Sequence, residues 1–421
     1  MKTLVKKIYT KEYLLLLAIG FLPLIYKILQ IVFLSPFENA IKIIGQMVFI
    51  ELIFKIFQET IINPLYKTLG TTCNSEENTS YYAKKLLLFC SIACIVFSLI
   101  IFFLVEPIMR FSKIPDSIFD STKVFLQIMV FANGVGIVVQ YLFTFNLINK
   151  NSRGVFIYFL MSSLGTLLLG VLLIPKFTLG LGTVGLAISI LVVNVGQMAY
   201  FFATMPKVEK TAIAQFDRKK YAKLCSLSFV ESLTRNLTYY FVVLVLINTL
   251  NNQDLYYIGN EFIWSIMLVP ALAQNSYIKQ NVARCNTEKL KPYFLHNIVI
   301  CMFICLMIPV ALLVFKYVFA FENYMGYFLT LIKLVPCYFI FIFDNVIESY
   351  FIATGKMNHV FMQTLITNIL VYVTSFLLYE FGIWNVTLNT IILVFSAGMI
   401  LSSVYTISVY IYFLKRQKIN S

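Results

Sequence analysis

Long apolar runs constrain this chain more than any other feature of its sequence. A bilayer core about 30 Å thick requires about 20 mostly apolar residues from a spanning helix, whereas a spanning strand needs only about 10. Runs of the longer kind recur twelve times, which predicts an all-α polytopic membrane protein of about twelve transmembrane helices. The predicted spans are residues 13–34, 40–66, 84–107, 123–148, 154–175, 181–204, 221–250, 256–280, 293–319, 325–354, 357–380 and 386–414.

The composition agrees with burial in lipid. Of the 421 residues, 60% are hydrophobic and 12% are charged, whereas ordinary soluble domains have roughly 45–50% and about 25%. The chain has 33 Lys and Arg residues against 19 acidic ones. These charges lie mostly between the apolar runs, as loop charges that orient helices do. We therefore expect a lipid bilayer as partner and no nucleic acid.

The basic residues also predict an orientation. If the N-terminus faces the cytoplasm, the inside ends of the spans hold 23 Lys and Arg residues and the outside ends hold 5. Because short cytoplasmic loops are enriched in these residues, both termini are predicted to be cytoplasmic. The expected location is the cell membrane, with the protein as a monomer.

The chain contains an internal repeat. A shift of 205 residues places spans five and six on spans eleven and twelve, with Val155-Phe156 on Val360-Phe361. Six spans is an even number, so both halves begin on the same side and are related by a pseudo-twofold axis along the membrane normal. Parallel repeats of this kind build transporters with a central site. The predicted lobes are residues 1–205 and 221–421, joined by a basic linker, 206–220.

Ionisable residues inside the spans are expensive in lipid and mark functional positions when they face the protein interior. They form pairs four residues apart, so each pair shares a helix face. In spans two and seven the paired charges are opposite, and structural pairing is the alternative to a functional role. Span one holds Lys27, span two holds Glu51, Lys55 and Glu59, span seven holds Glu231 and Arg235, and span ten holds Lys333, Asp344 and Glu348.

Asp344 and Glu348 differ from the other pairs because two carboxylates on one helix face repel each other. One of them should hold a proton unless a cation lies between them. A proton or sodium relay requires this behaviour. The alternative is that one carboxylate reaches the cytoplasmic interface or pairs with Lys333 or Arg235.

Several function classes lose support. The polar segments are too short for a nucleotide-binding domain, and no GxxxxGK[ST] loop occurs, so ATP hydrolysis within the chain is not expected. The chain has two histidines and neither an HExxH motif nor a Ser/His/Asp set, which makes an enzyme the weaker class. The eight cysteines include no CxxC pair, and we predict no metal site.

Two regions resemble the multidrug and toxic compound extrusion (MATE) family. In the first half, the turn Ile114-Pro115-Asp116 precedes a span, Asn149-Lys150-Asn151 ends it, and Gly180–Ser189 is similar to the glycine-containing start of the family's helix six. In the second half, Phe343-Asp344-Asn345 followed by Ala353–Lys356 resembles the family's helix-ten pattern. The layout fits equally well the wider multidrug/oligosaccharidyl-lipid/polysaccharide flippase superfamily.

The resemblance implies alternating access driven by sodium or protons, with export of amphipathic small molecules. The family's carboxylates in helices seven and ten match Glu231 and Asp344, and Glu348 joins them in the predicted coupling-ion or proton site. Two departures are that span one has no acidic residue and that Thr354 replaces an arginine common before the helix-ten glycine. The predicted substrate-cavity or lobe-locking residues are Arg235, Glu51, Lys55, Glu59, Lys27 and Lys333.

The closest rival function is a flippase for a lipid-linked oligosaccharide or polysaccharide precursor. The anionic pyrophosphate of that substrate would require basic side chains facing the cavity. A membrane component that binds a partner or lipid without transport is a further class. The basic residues that a flippase would use are Lys27, Lys55, Arg235 and Lys333.

Overall fold

A computed structural model describes most of the chain. Within the described part every regular element is helical, and the helices follow the predicted spans one for one. The predicted all-α polytopic fold is therefore confirmed. Most of the predicted linker lies outside the described residues, and so does the side chain of Lys27. The described ranges are 10–34, 36–70, 76–111, 114–205, 218–250, 253–285, 290–319 and 321–419.

The first six helices begin and end at the polar breaks seen in the sequence. Asn151 accepts a hydrogen bond from the Gly154 backbone amide at 3.1 Å and caps the start of the fifth helix. Gly180 and Gly182, with φ of 66° and 55°, form the turn before the sixth. The helices are α1 (Lys11–Leu34), α2 (Ala40–Gly45 and Met47–Gly70), α3 (Glu76–Phe111), α4 (Asp116–Ile148), α5 (Ser152–Leu173) and α6 (Gly182–Thr204).

The second half of the chain forms six further helices. Gly355, with φ of 74°, ends the tenth helix in the left-handed conformation, and the Lys356 amide bonds the Phe351 carbonyl at 2.8 Å. π-helical turns interrupt several of them, and the eighth bends by 52° after Met267. They are α7 (Arg218–Thr238, Tyr239–Val243, Leu244–Asn248), α8 (Gln253–Phe262, Ile263–Met267, Val269–Cys285), α9 (Lys291–Val318), α10 (Tyr324–Thr354), α11 (Met357–Glu380) and α12 (Leu388–Ile419).

Length and hydropathy fit a membrane. In the described ranges eight helices are long and apolar enough to cross a bilayer, and a ninth joins them if the bent α8 counts as one span. Helices α1, α2 and α7 are not among them. Helices α2 and α7 carry charged groups within their apolar sequence, which lowers their hydropathy.

The described residues form two compact units. One comprises the residues from Leu22 to Ala222, and the other comprises those up to Phe21 together with those from Lys223 onward. The predicted first half, 1–205, differs from this grouping at its beginning. The early part of α1 contacts second-half helices, because the Tyr13 hydroxyl donates to the Pro270 carbonyl at 3.3 Å.

The Leu22–Ala222 unit is built around α4, which packs against α2, α3 and α6. Helix α6 also packs closely on α5. A Cβ atom at Gly185 would lie 2.5 Å from the backbone oxygen of Leu173, so a glycine is required at this approach.

The other unit, which contains the residues from Lys223 onward, is built around α10 in the same way. Helix α10 packs against α8, α9 and α12. Its apolar core includes Leu331, Leu334 and Ile342. Polar contacts also cross this core: the Trp264 indole donates to the Tyr338 hydroxyl at 2.9 Å, and Tyr338 donates to Asn260. Side chains on the inner face of α10 are therefore removed from solvent and need partners within the protein.

Candidate functional site

Asp344 lies in the C-terminal half of α10, and its side chain is 5% exposed. The side chains that contact its carboxylate come from α11 and α12. Gln363 Nε2 donates to Asp344 Oδ2 at 3.1 Å, and Ser402 Oγ donates to the same oxygen at 2.5 Å. Both partners are uncharged, and no salt bridge among the described residues involves Asp344. Within the described structure, Asp344 therefore does not pair with Lys333 or Arg235.

The three groups form a closed triangle, since Gln363 Nε2 also donates to Ser402 Oγ at 2.6 Å. Because Ser402 donates its one hydrogen to Asp344, its oxygen is the acceptor for the Gln363 amide. The triangle ties α10, α11 and α12 together around one acidic side chain. It can hold a carboxylate in position without neutralising its charge.

Glu231 and Arg235 form the predicted ion pair on α7. Arg235 Nε lies 3.1 Å from Glu231 Oε1, and the two side chains are 44% and 5% exposed. Helix α11 contacts this pair, because Thr364 Oγ1 donates to Glu231 Oε1 at 3.1 Å. Asn368 Nδ2 also donates to the Thr234 carbonyl at 3.2 Å. The acidic end of the pair is thus buried against α11, and its basic end is half exposed.

The other two charged residues of α10 are Lys333 and Glu348, and among the described residues neither forms a salt bridge with Asp344. Lys333 is exposed and donates to Asn389 Oδ1 at 2.8 Å. It precedes Asp344 by 11 residues, or about 16 Å along the helix at about 1.5 Å per residue. Glu348 is half-buried one turn after Asp344 and, among the described residues, forms no salt bridge. The structure places Glu348 near the site and Lys333 away from it.

The predicted charges of the first half have a different setting. Glu51 and Lys55 are exposed on α2, and Glu59 is half-buried. In the part of the chain that the structure describes, Lys55 takes part in no salt bridge. Fixing two long side chains on an exposed helix face brings little gain, which accounts for this. The Lys27 side chain is outside the description.

The repeat shows how the two halves differ chemically. In the first half, Gln197 Nε2 donates to Ser162 Oγ at 3.0 Å and to the Tyr158 carbonyl at 3.1 Å. A shift of 205 residues places Gln197 on Ser402, so each half joins its last two helices by an amide-to-hydroxyl bond. The same shift places Asp344 on Val139, and the carboxylate is therefore a feature of the second half.

Sequence reasoning missed Gln363, Thr364 and Ser402. A signal was present, because these are polar residues within apolar spans. It was weak, since Ser and Thr are common in membrane helices, where their hydroxyls bond backbone carbonyls. The partner of a hydroxyl in another helix cannot be identified from its own helix.

Fold and site together define the class: a multi-pass α-helical membrane protein with two buried carboxylates, Glu231 and Asp344, in its second half. No family profile matches the sequence, and no curated protein does. Solved structures, in contrast, match over nearly the whole chain. The predicted resemblance to the MATE family or its superfamily is confirmed at the level of the fold.

Three of these structures show the extent of the match. A transporter of the MOP superfamily from Pyrococcus furiosus has 13% identity and a TM-score of 0.81, covering 98% of this chain and 96% of its own. A multidrug resistance MATE transporter in an outward-facing conformation has 13% identity and a TM-score of 0.82, covering 99% and 96%. A mutant of the VcmN MATE transporter from Vibrio cholerae has 14% identity and a TM-score of 0.76, covering 99% and 98%.

Proposed function

We propose that this protein is a secondary active transporter that exports amphipathic small molecules by alternating access, with a cation bound at Asp344 as the coupling ion. The fold supports this proposal, since one structural neighbour is described as a multidrug resistance MATE family transporter and another as a MATE transporter. The setting is the cell membrane with both termini in the cytoplasm, as the loop charges favour. The protein acts as a monomer.

One observation carries the coupling role: Asp344 is buried among uncharged partners. An ionised carboxylate out of water is strongly disfavoured unless it is paired or neutralised. A site of this kind gains most from a mobile cation, and both a proton and Na⁺ meet that need. The proposed coupling site includes two further carboxylates. Glu348 lies one helical turn after Asp344, and Glu231 is bonded by Thr364 of α11.

The basic residues give less support to a flippase for a lipid-linked glycan. Arg235 is engaged by Glu231 at 3.1 Å, and Lys333 is exposed and bonded to Asn389. A pyrophosphate-binding site would instead need desolvated, convergent donors. We therefore assign Arg235, Lys333, Glu51, Lys55, Glu59 and Lys27 to substrate contacts or locking of the lobes within an export cycle.

Transport by purified protein in vesicles tests the proposal. Ethidium and a zwitterionic fluoroquinolone serve as probes under an imposed sodium gradient and, separately, an imposed pH gradient. The wild type should move at least one probe against its gradient, and Asp344→Asn should abolish this movement because its side chain cannot ionise. Glu106→Gln is the control, since Glu106 is a partly exposed carboxylate bound by Arg110 and Lys123.

The outcomes separate the alternatives. Unchanged gradient-driven transport by Asp344→Asn would remove the coupling assignment. Translocation of a fluorescent lipid-linked oligosaccharide, with no effect of either gradient on the two probes, would favour the flippase instead.

A further inference from the structure

Helix α11 contacts both buried carboxylates of the second half through consecutive residues. Gln363 donates to Asp344 of α10, and Thr364 donates to Glu231 of α7, each at 3.1 Å. One turn later, Asn368 bonds the backbone of α7. Helix α11 is therefore held to α7 at two points and to α10 and α12 through the Gln363 amide.

The triangle around Asp344 leaves two buried oxygen atoms over. Asp344 Oδ1 and Gln363 Oε1 have no hydrogen-bond partner among the described residues. In the observed orientation the Gln363 amide nitrogen faces both Ser402 Oγ and Asp344 Oδ2, as an ionised Asp344 requires. Within the described part of the chain, the hydroxyls of Thr367 on α11 and Ser403 on α12 are also buried without a hydrogen-bond partner.

The chemistry of Asp344 Oδ1 and Gln363 Oε1 indicates what could bind them. An ionised carboxylate oxygen and an amide carbonyl oxygen are both acceptors, so neither can satisfy the other. Buried acceptors of this kind are rarely left unpaired. One cation that contacted both oxygens would satisfy them together: a proton carried by Oδ1 that donates to Oε1, or a sodium ion that binds both.

We propose that Gln363 is a neutral ligand of the cation site: its carbonyl oxygen shares one bound cation with Asp344, and α11 transmits occupancy of that site to Glu231 through Thr364. This inference rests on the proposed function and adds to it a neutral ligand and a path between the two carboxylates. The π-helical turn Asn368–Val373 follows directly. Such turns recur at functional sites, and this one gives α11 a segment that can adjust its register.

Cation binding can be measured without knowing the transported substrate. A cation that binds the folded state stabilises it by mass action. The melting temperature of the purified protein in detergent is therefore recorded as NaCl replaces KCl at constant ionic strength, and separately as pH is lowered without sodium. A sodium-dependent rise identifies Na⁺ as the cation, and a rise on acidification identifies the proton. Asp344→Asn should remove whichever rise occurs.

Three variants test the role of Gln363. Gln363→Met keeps the size of the side chain and removes its oxygen, and it should weaken the apparent cation affinity about tenfold, as expected for loss of a contact to a charged group. Gln363→Glu restores an oxygen acceptor and should recover most of that affinity. Gln197→Met is the matched control, because Gln197 is 1% exposed and bonds a hydroxyl on the neighbouring helix, yet among the described residues no carboxylate bonds it.

The results are decisive in either direction. Equal cation affinities for wild type, Gln363→Met and Gln197→Met would overturn the inference, and so would equal losses in both methionine variants. Vesicle transport is scored separately. A cation response that depends on Gln363 in a protein that moves no probe would reject the proposed function and keep the site.

Discussion

The Glu231–Arg235 ion pair of α7 gives a prediction about stability. The exposed fractions of its two side chains set the expected loss in the free energy of unfolding. Removing one partner of a fully buried pair costs about 3–5 kcal/mol, whereas exposed pairs contribute about 0–1 kcal/mol. Glu231 is 5% exposed and Arg235 is 44% exposed. We therefore expect Arg235→Met to lower the free energy of unfolding by about 1–3 kcal/mol. Methionine keeps an apolar stem at the position, so the lost charge dominates the effect.

Thermal unfolding in detergent checks this value. The matched control is Arg110→Met, which breaks a pair of the same spacing and order at 2.8 Å whose side chains are 69% and 36% exposed. Lys123 also binds Glu106, at 2.6 Å, and this second ion pair is left intact by the substitution, so the melting temperature of the variant should barely change. The double variant Glu231→Gln/Arg235→Met should recover stability relative to Arg235→Met, because no buried charge is left behind. Equal shifts in the two single variants, or no recovery in the double, would refute the reasoning.

Two further predictions concern the packing of each unit. Gly185→Ala should destabilise the protein by about 1–3 kcal/mol, because its Cβ would overlap the Leu173 carbonyl. Gly196→Ala on the same helix, where the nearest atom would be 3.6 Å away, should be neutral in the same thermal assay. Tyr338→Phe should cost about 1–3 kcal/mol, since it leaves the Trp264 indole without its acceptor. Its melting temperature and tryptophan fluorescence should both change, and an unaltered melting temperature would contradict the assignment.

Sequence reasoning located the carboxylates of the candidate site but not their partners. The expense of a charge in lipid singles out Glu231 and Asp344 from their own spans, without any knowledge of the fold. Their partners are neutral and remote: Gln363 is 19 residues and Ser402 is 58 residues from Asp344, and Thr364 is 133 residues from Glu231. Local periodicity carries no information about contacts at such separations.

The sequence by itself determined the all-α polytopic fold and its repeat, because a bilayer accepts few backbone arrangements and about 20 apolar residues per span identify the helical one. Helical periodicity also places Lys333 and Asp344 near one face of α10, since 11 residues make about three turns. Only the tertiary structure decided that the two differ. Around Asp344 that face of α10 is covered by α11 and α12, whereas around Lys333, about three turns earlier in the helix, it is exposed. What covers a helix face at each depth depends on the other helices, and for this reason the buried carboxylate, not the lysine, is the candidate cation site.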